Sequence, residues 1–268
     1  MSPRFVGLRG LLLLPLAALV LTAGCASDRQ QQRLARLTPE TLYERGQSAL
    51  RGANYNEAVQ IFEALTARYP FTAQSRQGRL DIIYAYYKLG EKESAKDAAD
   101  TFIRENPTHP RIDYAWYIKG LIDFERTPHR IERWLNVDLS DRPPATARDS
   151  FTSLRTVVDR FPKSPYAPDA RRRMIYLRNR VAYYELSVAQ HYAQRGAWVA
   201  AAQRSRRTIE QYDGAPAVKD ALRIMYRSYT ELEYAELAEN TEKVFHENFP
   251  DESIELPRRA RSWWRFWT

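Results

Sequence analysis

A helix-stopping step recurs along this chain at Tyr69-Pro70, Asn106-Pro107, Phe161-Pro162, Tyr212-Asp213 and Phe249-Pro250, at spacings of 37, 55, 51 and 37 residues. Twelve residues before the second position of each step stands a small residue: Ala58, Ala95, Ser150, Ala201 and Ala238. Proline lacks the amide donor that an i→i−4 ladder needs, so it ends a helix. Small residues let two helices approach closely, and glycines further back (Gly52 before Tyr55, Gly90, Gly196 before Trp198) mark turns. Recurrence of this kind specifies stacked helix pairs, each burying its apolar side only against its neighbours. Phe62, Phe102, Val157 and Phe245 are the large residues expected to fill the gaps between units. Only 10 glycines and few β-branched runs argue against a sheet.

The first unit fits the tetratricopeptide pattern best, through Leu42, Gly46, Tyr55, Ala58, Phe62, Leu65 and Pro70. Ile83, Tyr86, Gly90, Ala95, Phe102 and Pro107 repeat it. The third unit, after Trp116, Gly120 and Phe124, carries an insertion of roughly eighteen residues relative to the repeat length. Pro128, Trp134, Pro143 and Pro144 lie in it, and its aromatic content suits a folded loop better than a plain linker. From Asp169 to Arg195 neither proline nor glycine interrupts a helical pattern, which predicts one long helix joining units three and four. The expected fold is an all-α tetratricopeptide solenoid of five helix pairs and about ten helices. Residues 38–125 form the N-terminal repeats, 126–149 the inserted loop, 150–252 the C-terminal repeats and 253–268 a basic aromatic tail.

Charge is concentrated at the ends. Lys+Arg 41 against Asp+Glu 33 gives +8, of which residues 1–24 supply +2 and residues 257–268 supply +4. The body is then only about +2, which is no field for nucleic acid. Residues 10–24 are uncharged and end in Leu21-Thr22-Ala23-Gly24-Cys25. That run is shorter than the roughly 20 residues of a membrane span and suits a signal-peptide core. Its end resembles the bacterial lipobox, which implies removal of residues 1–24 and lipidation of Cys25, the single cysteine. Each buried methylene contributes about 0.8 kcal/mol, so several acyl chains hold a protein on a leaflet. Ala26-Ser27 rather than aspartate follows the cysteine, as expected for outer-membrane delivery, and residues 25–37 read as a polar tether.

In such repeats the first helix of each pair lines the concave face. That mapping places Tyr43, Gln47, Tyr84, Tyr87, Lys88, Tyr114, Tyr117 and Phe124 there. Aromatics with polar tips beside a lysine suit an extended peptide with an aromatic end and a carboxylate, although tyrosine at helical spacing also packs between repeats. Arg171-Arg172-Arg173, Arg178 and Arg180 read either as a solvated helix face or as a docking patch. In the tail, Arg261, Trp263, Trp264, Arg265 and Trp267 interleave charge and aromatics as segments at an anionic lipid interface do; a partner-docking tail and a disordered end with no role are equal alternatives.

No enzymatic constellation is present. His109, His129, His191 and His246 lie in different units without metal-ligand spacing, and there is no nucleophile elbow or phosphate-binding glycine loop. Carboxylates such as Asp81 and Glu185 are isolated in sequence. The expectation is a non-catalytic protein without cofactor or metal.

Several longer runs resemble one family. They are Tyr69-Pro70-Phe71, Leu80 to Lys88, Asn106 to Pro110 with Ile112-Asp113-Tyr114, Asp138 to Pro143, and Tyr183 to Val188 leading to Arg195-Gly196-Ala197-Trp198-Val199-Ala200. These runs are similar to the BamD family, lipoproteins of the outer-membrane β-barrel assembly machine. The resemblance implies a five-repeat adaptor on the periplasmic face of the outer membrane. Its N-terminal repeats would receive the targeting strand of unfolded barrel proteins, and its C-terminal repeats would dock the last POTRA domain of BamA. Arg204 matches the family's interface arginine, with Trp198 and Arg195 beside it. BamC and BamE are implied as further partners. The segment from Arg126 to Trp134 and the tail after Pro257 depart from the family pattern. Outside the resemblance, a periplasmic repeat lipoprotein serving cell-wall synthesis or envelope constriction is the alternative.

Overall fold

The computed structural model describes residues 34, 36–124 and 146–255. Among the described residues there are ten helices and no strand. They fall into two compact units that divide between Ile122 and Asp123. The first contains α1 (Pro39–Arg51), α2 (Tyr55–Arg68), α3 (Ala73–Leu89), α4 (Lys92–Glu105) and α5 (Ile112–Ile122). The second contains α6 (Ala147–Arg160), α7 (Ala167–Gln194), α8 (Trp198–Gln211), α9 (Ala217–Glu231) and α10 (Ala235–Asn248). Within each unit every helix packs on the next in sequence, and alternate helices also touch, α1 on α3, α3 on α5 and α7 on α9. That is the stacking of helix pairs. The 28-residue α7 is the long uninterrupted helix expected from the sequence. Most of the insertion lies outside the described residues.

The recurring stop signal is a recurring backbone motif. The amides of Tyr69, Asn106, Phe161, Tyr212 and Phe249 each donate to the carbonyl four residues back, closing α2, α4, α6, α8 and α10. The amides of Thr72, His109, Ser164, Ala215 and Glu252 then donate to those same five residues' carbonyls. The turns between paired helices repeat too: Asn54, Glu91, Ala197 and Tyr234 each donate to a carbonyl five residues back, a Schellman closure. Such a closure needs a left-handed residue. Gly90 (φ 79°) and Gly196 (φ 73°) supply it, but the other two turns use Ala53 (φ 58°) and Glu233 (φ 59°). The glycine signal at Gly52 therefore points one residue early, since Gly52 itself has φ −78°.

The five small residues all sit at buried contacts between helices, Ala238 being the least enclosed at 9% exposure. Phe102, Val157 and Phe245 are buried gap-fillers, as expected. Leu65, whose carbonyl closes α2, is the residue in register with them, and in the fourth pair Thr208 takes that place. Phe62 is also fully buried but serves a different contact. Its ring lies where a Cβ on Gly46 would come within 2.5 Å, and Gly78 backs it from α3. Two glycines thus make room for one phenyl ring among α1, α2 and α3.

Candidate functional site

In the first unit, α1 carries Tyr43 and Gln47 one turn apart, and α3 carries Gln77 and Asp81 at the same spacing. These four side chains meet. Tyr43 Oη donates to Asp81 Oδ2 at 3.1 Å, Gln47 Nε2 donates to the same oxygen at 2.5 Å and to Tyr43 Oη at 3.0 Å, and Gln77 Nε2 donates to Asp81 Oδ1 at 3.1 Å. Asp81 is 7% exposed. Burial raises its pKa above the ordinary aspartate value, against the lowering effect of these donors and of Arg111. Tyr43 is pushed up to about 12, by burial first and then by the Asp81 charge. With its lone pairs already engaged by donors, Asp81 makes the centre of this face acceptor-rich, a poor seat for a ligand carboxylate.

Further along the same stripe of α3 stand Tyr84 and Lys88. The Tyr84 ring meets Tyr55 edge-on at 6.2 Å, and Lys88 Nζ lies 5.8 Å from the Tyr55 ring centre and 5.9 Å from that of Tyr84. Lys88 is exposed, so a cation stands beside two half-buried aromatic rings. On the other side, the Arg111 guanidinium covers the Tyr114 ring at 4.8 Å. Tyr87 and Tyr117 are half-buried on α3 and α5. Phe124 belongs to the second unit, where it packs 5.5 Å from the Tyr176 ring with Arg173 over its face at 4.8 Å.

Asp81, Gln77 and Arg111 are the members of this site that sequence reasoning did not group. The available signal was the acid inside the apolar run Leu80-Asp81-Ile82-Ile83, at i,i+4 from a glutamine.

The second unit has a matching buried acid. Glu185 on α7 is 5% exposed and pairs with Arg204 Nη1 of α8 at 2.8 Å and with Arg207 Nε at 3.6 Å. That hydrogen bond raises the Arg204 pKa further. Arg204 is therefore half-exposed and already committed on one side. Trp198 lies beneath the Arg227 guanidinium at 5.3 Å, and Arg195 is exposed at the end of α7. The arginine run on α7 divides by role. Arg172 and Arg173 pair with Asp169, while Arg178 donates to the carbonyls of Asp213 and Gly214 at 2.9 Å and so fixes the turn before α9. Cys25 and the tail residues Arg261, Trp263, Trp264, Arg265 and Trp267 lie outside the described residues. Among the described residues no group of histidine, cysteine and carboxylate side chains could hold a metal, and no helix is long and apolar enough to cross a membrane.

A family model described as YfiO, outer membrane lipoprotein, matches residues 35–244. A protein of Neisseria meningitidis serogroup B named outer membrane protein assembly factor BamD is 36% identical over 252 residues, covering 91% of this chain and 94% of its own. The chain belongs to the BamD family. A second BamD, from Vibrio cholerae, is 35% identical over 233 residues, 87% of this chain and 96% of its own. The crystal structure of a thermophilic TPR protein of Thermus thermophilus overlaps with a TM-score of 0.36 at 12% identity, over 80% of this chain and 93% of its own. The tetratricopeptide assignment stands on the helix pairing and on BamD membership rather than on that overlap.

Proposed function

We propose that this chain is a non-catalytic adaptor for the assembly of β-barrel proteins into the outer membrane, held on its periplasmic face by lipid on Cys25. The first unit captures the C-terminal targeting strand of an unfolded barrel protein. The second docks BamA through its last POTRA domain, at Arg204, Trp198 and Arg195, with BamC and BamE as further partners. Membership of a family whose relatives are named as outer membrane protein assembly factors supports this reading.

The observation that carries it is the face where consecutive first helices present Tyr43, Tyr84 and Tyr114 around the Asp81 hydrogen-bond centre. That centre is saturated by its own donors and holds Tyr43 and Gln47 in place for an extended strand to lie across. The strand's aromatic terminus suits the Tyr55–Tyr84 rings, and its carboxylate suits Lys88.

The lipidated full chain is to be purified by affinity from detergent extracts and its co-purifying chains identified. Recovery of BamA and small lipoproteins is expected. Recovery of cell-wall enzymes without BamA overturns the reading. Arg204 needs a compensated variant, because removing its guanidinium alone leaves the buried Glu185 carboxylate short of a partner. Arg204→Ala combined with Glu185→Gln removes both charges. That pair should keep the fold and lose BamA at least tenfold, whereas undiminished recovery excludes Arg204 from the interface.

A further inference from the structure

The last helix of the second unit leaves an apolar strip uncovered. Tyr234, Leu237 and Val244, spaced by three and seven residues, are 52%, 45% and 43% exposed. They flank the buried contacts that Ala238, Thr241 and Phe245 make with the rest of the unit. In a stack of helix pairs this flank is where the next helix would lie, and terminal repeats ordinarily make it polar. Here it is apolar and bordered by acids. Glu233, Glu236 and Glu247 form no ion pair among the described residues, in contrast to Glu231 and Glu239, which pair with Arg227 and Lys243 within one turn.

The complement to this surface is in the same chain. Residues 231–255 contain nine acids and, among lysines and arginines, only Lys243, whereas residues 256–268 contain four arginines, Trp263, Trp264, Phe266 and Trp267 and no acid. The described chain also ends in the right place. After α10 it turns back, Phe249 packing on Phe245 at 5.3 Å and Ile254 burying beside Phe245 and Leu222. Arg223 fastens this return by donating to Ser253 O at 3.0 and 2.8 Å and to Glu252 at 2.8 Å. The thirteen residues that follow span at most roughly 45 Å when extended, and the 14-residue α10 is only about 21 Å long, so the tail reaches the whole strip.

We propose that residues 256–268 dock in cis on the outer face of α10, as a terminal cap. The tryptophans cover Tyr234, Leu237 and Val244, and the arginines meet Glu233, Glu236 and Glu247. This occupant accounts for the exposed strip, its acidic border and the opposite composition of the tail together. A bilayer accounts only for the tail.

The test is hydrogen exchange on the full chain compared with a Trp263→Ala, Trp264→Ala, Trp267→Ala variant. Amides of residues 234–248 should exchange at least tenfold faster in the variant, at every protein concentration and without vesicles, while α1 to α5 stay unchanged. A charge swap gives a second reading independent of folding. Glu236→Arg with Glu247→Arg should loosen the tail, and Arg261→Glu with Arg265→Glu added to it should restore protection. Unchanged α10 exchange in the tryptophan variant overturns the proposal. Protection that appears only with rising concentration assigns the strip to a second copy and also overturns it. Protection that depends on vesicles of phosphatidylglycerol returns the tail to the membrane and overturns it equally.

Discussion

At the scale of single residues, the tightest constraint is the space between Gly46 and Gly78. A methyl group on Gly46 would stand 2.5 Å from the Phe62 ring, which is fully buried and already touches the position of a Cβ on Gly78 at 3.2 Å. The ring has nowhere to move. Overpacking of a well-filled core costs about 1–3 kcal/mol, and the gain in helix propensity from alanine returns less than about 1 kcal/mol of it. Gly46→Ala should therefore destabilise the first unit by about 1–2 kcal/mol in urea unfolding. Adding Phe62→Leu should make the two changes non-additive, because the smaller side chain vacates the methyl's place. Strict additivity would show that the clash is relieved elsewhere. Asp81 offers a second residue-scale test, with pH as the variable. Its folded pKa is raised, so the folded state holds the proton more tightly than the unfolded chain does. Its contribution to stability is thus full below the ordinary aspartate value and is lost as pH rises through the raised one. Asp81→Asn removes that loss. An asparagine oxygen can still accept from Tyr43 and Gln47, and the Gln77 amide can turn to accept from its nitrogen. The variant should gain stability relative to the parent as pH increases from about 4 to about 7. A difference that stays constant over that range would exclude Asp81 as the titrating group.

At the scale of elements, each helix end is fixed by a local device, and the last is the least obvious. Arg223 on α9 is only 10% exposed and also bonds Asp220, with its guanidinium 5.3 Å from the Phe245 ring. Replacing it by alanine removes the charge-assisted bonds that hold residues 252–253 against α9. Arg223→Ala should lower the free energy of opening residues 249–255 by about 2–3 kcal/mol, a roughly 30- to 150-fold rise in their amide exchange. Exchange confined to the parent rate would show that Ile254 alone fastens the segment. These devices also explain what could be read from the sequence. The closures of α2, α4, α6 and α10 are legible because proline and small residues carry a strong local signal at fixed offsets, whereas that of α8 is marked by Ala201 alone, Asp213 standing where the others have proline. The turns at Ala53 and Glu233 are only partly legible, since the closing bond, not a glycine, holds their left-handed backbone there. The repeat pattern puts Phe62 in the wrong register because its role depends on two glycines contributed by other helices. Asp81 and Glu185 look isolated for the same reason: the partners of each lie 19 to 38 residues away in sequence, apart from Gln77. Such pairings exist only after the helices have stacked. The Tyr43–Gln47 pair of the candidate site is visible as helical spacing, whereas the acid it surrounds is not.

At the scale of the whole chain, the question is what keeps such a protein at a membrane. The body carries little net charge, because most of the formal +8 lies in residues 1–24 and 257–268. No helix among the described residues is long and apolar enough to span a bilayer. Residues 1–24 would leave with the signal peptide. In the proposed reading the attachment then falls on acyl chains at Cys25, each methylene contributing about 0.8 kcal/mol. Cys25→Ala placed behind an ordinary cleavable secretory signal should move the protein from the membrane pellet to the soluble periplasmic fraction, with barrel-protein levels falling in cells that depend on it. Retention in the pellet after a high-salt wash would refute Cys25 as the anchor. The completeness of release bears on the tail as well. Docked on α10, its tryptophans are withheld from lipid and none of the protein should stay behind. A residual membrane fraction that disappears with Trp263→Ala and Trp264→Ala would place those side chains at the bilayer instead.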